Sequence, residues 1–462
     1  MTTFDFCEKI LELLRGKQYG ALQRYLDTLN PADIAECMLD LQDEGDLEDK
    51  ELLRLFRLMP KELASDTFAE MEPELQEKLI GGFSDRELGE VLEDMFLDDE
   101  VDVIEEMPAS VVKRILKTVD AETRQAINQL LKYPEDSAGS LMTIEYVDLR
   151  PAMTVEEAFA HIREHGVDKE TIYTCYIIGP TRKLLGAVSV RELLLAKPGT
   201  VLRDMMETNI ISVSTMDDRE AVANLFSHYG LTALPVVDKE KRLVGIVTVD
   251  DAIDVLQEEA TEDMELMAAM LPSERPYLRS GTFELWKQRI PWLLILMVSA
   301  TFTGMIITGF EQGLAANAAL IAFIPMLMST GGNCGSQSSV MVIRGLSLGE
   351  IEMSDALRVL WKELRVSVFC GLALAVAGFA KVLLIDGWMF RNPDITVGVA
   401  ATVGLTLAFI AIVAKLVGGL LPMGAKKLGF DPAVMASPFI TTIVDALSLL
   451  LYFSIASLLL GL

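Results

Sequence analysis

Much of what enzymatic chemistry needs is scarce in this chain. Only three histidines occur in 462 residues, His161, His165 and His228, and no nucleophile is assembled around them, so an enzyme is the least favoured class. The five cysteines, Cys7, Cys37, Cys175, Cys334 and Cys370, are odd in number and lack paired metal-ligand spacing. That excludes a zinc site and a disulfide framework, and predicts reduced thiols. No G-x-x-x-x-G-K-[ST] loop is present to cradle phosphates. The N-terminus, MTTFDFCEKI, lacks a basic stretch followed by an apolar core, so no signal peptide is expected and the first part of the chain should stay in the cytoplasm. Basic residues are also few. Of 40 basic and 68 acidic residues, 11 and 10 fall from residue 282 onward, leaving 29 and 58 in residues 1–281, a net charge of −29 there. A surface this anionic repels phosphate, which excludes nucleic acid as a partner and favours cations.

The C-terminal part is apolar. Five hydrophobic runs, 288–310, 314–343, 364–388, 395–424 and 432–460, are each long enough to cross a bilayer. Arg344, Arg358, Lys362, Arg365, Lys426 and Lys427 flank the second-to-third and fourth-to-fifth connections. The first-to-second loop carries only Glu311, and the third-to-fourth is mixed, with Asp386, Arg391 and Asp394. The bias puts the N-terminus inside and the C-terminus outside a bacterial-type cytoplasmic membrane. Within 432–462 the single charge is Asp445, about 20 Å along a helix from Asp431. An isolated carboxylate there costs at least ~2.5 kcal/mol, so it should face water, a cation or a partner group. Thr441, Thr442 or Ser448 could instead tie it structurally. The second run holds IPMLMSTGGNCGSQSSV, where Gly331, Gly332, Gly335, Asn333 and Gln337 suit close helix packing or a wet pore.

The acidic part subdivides. Residues 1–135 repeat an apolar residue, a proline and a short amphipathic helix, with Pro31, Pro60, Pro73 and Pro108 at first helical turns, and predict a stacked helical superhelix. Asp98 and Asp102 share one helix face, beside Asp99. Like charges at that spacing are mildly destabilising unless a cation sits with them, the alternative being a solvated face. Residues 136–250 contain two echoing segments, one ending in LLGAVSVRELL and the other in LVGIVTVDDAI, each a strand, a helix, two strands and a closing helix. They resemble a pair of CBS domains. The resemblance implies an adenine nucleotide such as ATP near Arg191 and Glu192, or else a pair that only transmits conformation. From Asp251 to residue 283 runs a connector in which Asp251, Asp254, Glu258 and Glu262 form an acidic stripe, with Glu259 and Asp263 beside it. Ile253, Leu256, Ala260, Met264 and Met267 form its expected apolar face. Four carboxylates in a row, with no Lys or Arg between Arg242 and Arg275, predict bridging divalent cations.

This order of parts, with P-x-x-x-x-x-G-G-N-x-G-x-Q from Pro325 to Gln337 and D-P-A-x-x-x-x-P-F-x-T-T-x-x-D from Asp431 to Asp445, resembles the MgtE magnesium channels. The resemblance implies an all-α N-domain, an α/β CBS pair, a plug helix over 251–283 and a five-helix transmembrane domain over 284–462. It also implies a homodimer in contact with lipid, with magnesium and other divalent cations as ligands. The pore would be lined by the second and fifth spans, with Asp445, Asn333, Gly331, Gly332, Gln337 and Thr441 about the selectivity site. Regulatory magnesium ligands would be Asp98, Asp102, Asp217, Asp250, Asp251, Asp254, Glu258, Glu259, Glu262, Asp263 and Asp431. High internal magnesium would hold the pore shut. Three features depart from the pattern: Gly230 where related chains can carry an acid, Ala436-Ser437 before Pro438, and Lys415 inside the fourth span, either snorkelling or pairing with Asp445. Two other readings stand beside this one: an ion-coupled secondary transporter with Asp445 as a proton or sodium relay, and a CBS nucleotide sensor with a membrane anchor.

Overall fold

The computed structural model describes residues 3–167, 169–273, 277–278, 280–310, 318–435 and 437–461. The chain divides into two compact units, Met1–Leu256 and Gln257–Leu462.

The first unit opens with short helices running from α1 (Thr3–Arg15) to α10 (Ala121–Leu130). Their amphipathic faces stack into one continuous apolar core through Ile34, Leu55, Phe68, Leu79 and Ile104. Pro31 and Pro73 open α3 (Pro31–Asp43) and α6 (Pro73–Gly82) at the first helical turn, where the missing N–H costs nothing, while Pro60 and Pro108 stand one residue earlier, at N-caps. Ser84 and Glu87 form a reciprocal capping box on α7 (Asp85–Leu92). Cys7 and Cys37 are corrected here: α1 and α3 pack side by side and bring the two together as a disulfide, their Cα atoms 5.5 Å apart. A sequence separation of 30 hides that proximity from spacing.

Two three-stranded sheets follow. In the first, β1 (Tyr146–Leu149) pairs parallel with β2 (Thr171–Ile178), which pairs antiparallel with β3 (Leu184–Ser189). In the second, β4 (Val213–Ser214), β5 (Ala233–Val237) and β6 (Leu243–Thr248) repeat that arrangement. The parallel pairs are bridged by α11 (Val155–His165) and α14 (Arg219–Tyr229), the crossover that parallel strands require. Tyr146, Tyr176, Ile178, Leu243 and Ile246 form a core shared between the repeats. A helix α12 (Val190–Leu195) closes the first repeat, α13 (Leu202–Met205) begins the second, and α15 (Val249–Met267) leaves it.

Among the described residues, the second unit holds five helices long and apolar enough to cross a membrane: α16 (Thr282–Gly309), α17 (Ile324–Ser347), α18 (Ala356–Lys381), α19 (Val397–Leu428) and α20 (Ser437–Leu460). A 3-10 turn, Ala318–Phe323, leads into α17, another, Pro432–Met435, precedes α20, and a π-type segment, Val382–Met389, extends α18. The backbones of α17 and α19 touch: a Cβ on Gly418 would lie 2.2 Å from the Gly335 carbonyl oxygen. Only glycine permits that approach. Glu311 and Ala436, together with the Ser437 side chain, fall outside the described residues.

Candidate functional site

The first site is acidic and lies in the first unit. Helix α8 (Leu97–Glu106) has no capping side chain of its own; the Leu97 N–H donates to the Glu145 carboxylate instead, at 3.1 Å. Glu170, on the loop before β2, donates its own N–H to the Glu145 carbonyl. These two backbone ties gather three carboxylates, and oxygens of Asp98, Glu145 and Glu170 lie within 4.8 Å of one another. Asp251 approaches from α15, where Thr248 Oγ1 donates to its Oδ2 at 2.7 Å.

The electrostatics follow from burial among like charges. Burial first, and then the Asp251 carboxylate, pushes Asp98 well above the ordinary range, Asp99 to about 7 and Asp102 to about 8. Burial followed by Asp250, Asp99, Asp251 and Glu145 lifts Glu170 to about 8; burial lifts Asp251 to about 6. Oε2 of Glu170 is buried and accepts no hydrogen bond among the described residues. Hard oxygen donors gathered at high negative charge fit a divalent cation such as magnesium or calcium.

Sequence reasoning found only part of this set. Asp98, Asp102, Asp250, Asp251 and Asp254 do converge, with Asp250 and Asp254 beside Glu70, the residue that caps the end of α5 (Lys61–Ala69). Glu145 and Glu170 were missed, because positions 98, 145, 170 and 251 share no period. Asp217 is placed elsewhere: its carboxylate accepts from Ser214 N at 2.8 Å and its carbonyl from Ala138 N, which makes it a turn-forming residue. Gly230 sits in the left-handed region, φ +63°, at the end of α14, where an acidic side chain would be strained.

The face expected of α15 is corrected in part: Leu256 and Met267 do pack against the core of their own unit. Ile253 and Met264 are 56% and 68% exposed; the buried positions are Ala252 and Val255 in the first unit and Leu266 in the second. Each compact unit buries one end of the helix against its own core, so no single stripe runs its length. Leu266 packs on Ile343 of α17 and Ala433. Beside it Ser347 Oγ donates to Asp263, and Asp431 faces that carboxylate while capping Ala433 N at 2.7 Å. Burial and then Asp431 raise Asp263. Glu258, Glu259 and Glu262 lie between these two ends of α15.

Within the membrane helices, the polar residues of α17 separate into two faces. Ser329, Asn333 and Gln337, spaced four apart, are all exposed. The opposite face is buried: a Cβ on Gly331 would meet Ser448 and Val444, one on Gly332 would meet Thr441, and one on Gly335 would meet Ile440. The glycines are therefore packing residues of the α17–α20 contact, a correction to their grouping with Asn333 and Gln337, while Thr441 packs on Gly332 one turn before Asp445. Thr441 and Thr442 both donate to the Pro438 carbonyl, so neither hydroxyl proton is spent on Asp445. Lys415 is 4% exposed and neither snorkels nor pairs with Asp445. Its ammonium lies 3.5 Å from Ser338 Oγ, and that hydroxyl donates to Glu363 of α18. A lone ammonium in hydrocarbon costs ~2.5 to 3.5 kcal/mol or more, which the Glu363 charge offsets.

On the first CBS-like repeat, a cavity of about 690 Å³ is lined by Tyr173, Ser189, Arg191, Leu194 and Thr232. Glu192 is corrected as a candidate ligand there: its carboxylate already accepts from Ser189 N and Oγ as the capping box of α12.

Among the described residues, five apolar helices, one of them with a polar face at mid-span, together with a helical acidic body and a tandem α/β pair, define a multi-pass membrane protein. The comparisons name its kind. Residues 324–455 match the model of the MgtE divalent cation transporters, 29–136 the MgtE intracellular N domain and 202–258 the CBS domain. The chain is 38% identical to the magnesium transporter MgtE of Thermus thermophilus, across 97% of each chain. It is 32% identical to that of Bacillus subtilis, across 99% of this chain and 98% of the other. A solved soluble part of a magnesium transporter, 27% identical, matches 56% of this chain and 99% of its own with a TM-score of 0.51. The chain belongs to the MgtE family of magnesium transporters, and it is not an enzyme.

Proposed function

We propose that the protein is a magnesium-selective channel for uptake across the cytoplasmic membrane, acting as a homodimer and shut by internal magnesium. The observation that carries the pore is the exposed Ser329–Asn333–Gln337 face of α17, polar at mid-span, with Asp445 one turn past Thr441 on the neighbouring α20. A polar face is costly against lipid but suits a water-filled axis between two copies. Magnesium dehydrates reluctantly, so paired Asp445 carboxylates would hold it through its water shell. The N-terminus is inside and the C-terminus outside in this reading. The feedback sensor is the Asp98–Glu145–Glu170–Asp251 set together with Asp263 and Asp431. Carboxylates this crowded repel one another until a cation enters. An adenine nucleotide in the cavity beside Arg191 is the corresponding reading of the CBS pair.

The test is magnesium flux into proteoliposomes for the parent chain and Asp445→Ala, with internal magnesium low and then millimolar. Flux that needs Asp445 and is suppressed by internal magnesium is expected. An Asp445→Ala chain that conducts at the parental rate overturns the pore; flux indifferent to internal magnesium overturns the gate.

A further inference from the structure

Lys415, Ser338 and Glu363 come from three different membrane helices, α19, α17 and α18, and meet in one chain of hydrogen bonds. The ammonium donates to Ser338 Oγ at 3.5 Å, and the same hydroxyl donates onward to Glu363 Oε2. Lys415 is 4% exposed, so its ammonium is shielded by the packed helices around it. The site is built by the glycine contact next to it. Gly335 lies one turn before Ser338 and Gly418 one turn after Lys415, and their backbones touch. Glu363 crosses Gly419, where a Cβ would stand 3.5 Å from its Cγ.

The triad bears on the face of α17 that matters. Ser338 is buried, whereas the preceding residue, Gln337, is exposed. Consecutive helical residues point about 100° apart, so a turn of α17 by one position would bring Ser338 to the direction of Gln337 and carry Gln337 away from it. We propose that the triad is a rotational lock on α17 and that Lys415 is a positioning residue for conduction: with Ser338 held inward by one cation and one carboxylate, Asn333 and Gln337 stay turned onto the ion path. This rests on the pore reading above.

The experiment uses the full-length chain in proteoliposomes with Gln337→Cys added, and records two quantities. One is the labelling rate of that cysteine by a charged, water-soluble thiol reagent, above the rate of the same chain without it. The other is the ratio of magnesium to cobalt flux. In folded, monodisperse protein, Lys415→Met and Glu363→Gln should each slow labelling about tenfold and shift the flux ratio, while Lys415→Arg, which keeps the charge, keeps both. A residue that only stabilises the fold would lower thermal stability and leave both readings at parental values, and that result overturns the proposal. Should Lys415→Met fail to fold, Ser338→Ala removes only the hydroxyl between the charges and is judged by the same readings. Asp445→Ala separates the two ideas: parental flux there removes the pore, whereas the labelling rate still reports the lock.

Discussion

The acidic set of the first unit is held by burial against its own charge, and protons take the place of a cation when none is bound. Asp99, Asp102, Glu170 and Asp251 rise to about 7, 8, 8 and 6 from ordinary values near 4. An acid whose folded value is raised holds more protons folded than unfolded, so its contribution to stability is full below about pH 4 and is lost as pH climbs through 6 to 8. The groups facing one another are Asp98, Asp99 and Asp102 on α8, Glu145, Glu170, and Asp250 and Asp251 on α15, with Asp66 of α5 and its C-cap residue Glu70 at the edge. Magnesium must displace those protons. Calorimetric titration at pH 7 in two buffers of different ionisation enthalpy should therefore show proton release on magnesium binding, and affinity should fall from pH 8 to pH 6; an identical heat in both buffers contradicts this. Glu170→Gln should raise the magnesium concentration for half-suppression of flux several-fold and leave low-magnesium flux unchanged, because Glu170 belongs to the sensor and not to the pore.

At the scale of helices, the membrane unit is assembled by glycine. Gly418→Ala would press a methyl group into the Gly335 carbonyl of α17, and overpacking of this kind costs ~1 to 3 kcal/mol. Gly424, farther along α19, has nothing within 4 Å of where a Cβ would stand. Gly424→Ala should match or slightly exceed the parental thermal stability in detergent, since alanine is favoured in a helix interior by ~0.5 to 1 kcal/mol. Gly418→Ala should melt clearly lower, and equal melting of the two variants would mean that the backbone contact is not close. Helix α15 shows how an amphipathic pattern misleads when two units share one helix. Its buried residues are Ala252 and Val255 at one end and Leu266 at the other, and the intervening Ile253 and Met264 are solvent-exposed in the single chain.

For the whole molecule, feedback requires that the helical N-domain contribute ligands. A chain lacking residues 1–131 loses Asp98, Asp99 and Asp102, leaving Glu145, Glu170 and Asp251 without their partners on α8. Its magnesium flux should persist at millimolar internal magnesium. Full suppression in that chain would place the sensor elsewhere, at Asp263 and Asp431, which the truncation does not touch.

The amino-acid order alone determined the classes of element and their sequence. Proline-led amphipathic repeats specify short stacked helices, alternating apolar runs specify the two α/β repeats, and long uncharged runs specify membrane helices, because each pattern is local in period and composition. It also isolated Asp445 and the Asn333–Gln337 segment, since a polar group in hydrocarbon is conspicuous wherever the chain goes. Only the tertiary structure decided which groups meet. Glu145 and Glu170 joined Asp98 through hydrogen bonds from the Leu97 N–H to the Glu145 carboxylate and from the Glu170 N–H to the Glu145 carbonyl, and Cys7 reached Cys37 through helix stacking. Gly331 and Gly332 turned to the packing side while Asn333 turned out, and Lys415 found Glu363 instead of Asp445 through a serine on a third helix. Such pairings depend on helix rotation and close approach, and neither is encoded in the spacing of residues along a single element.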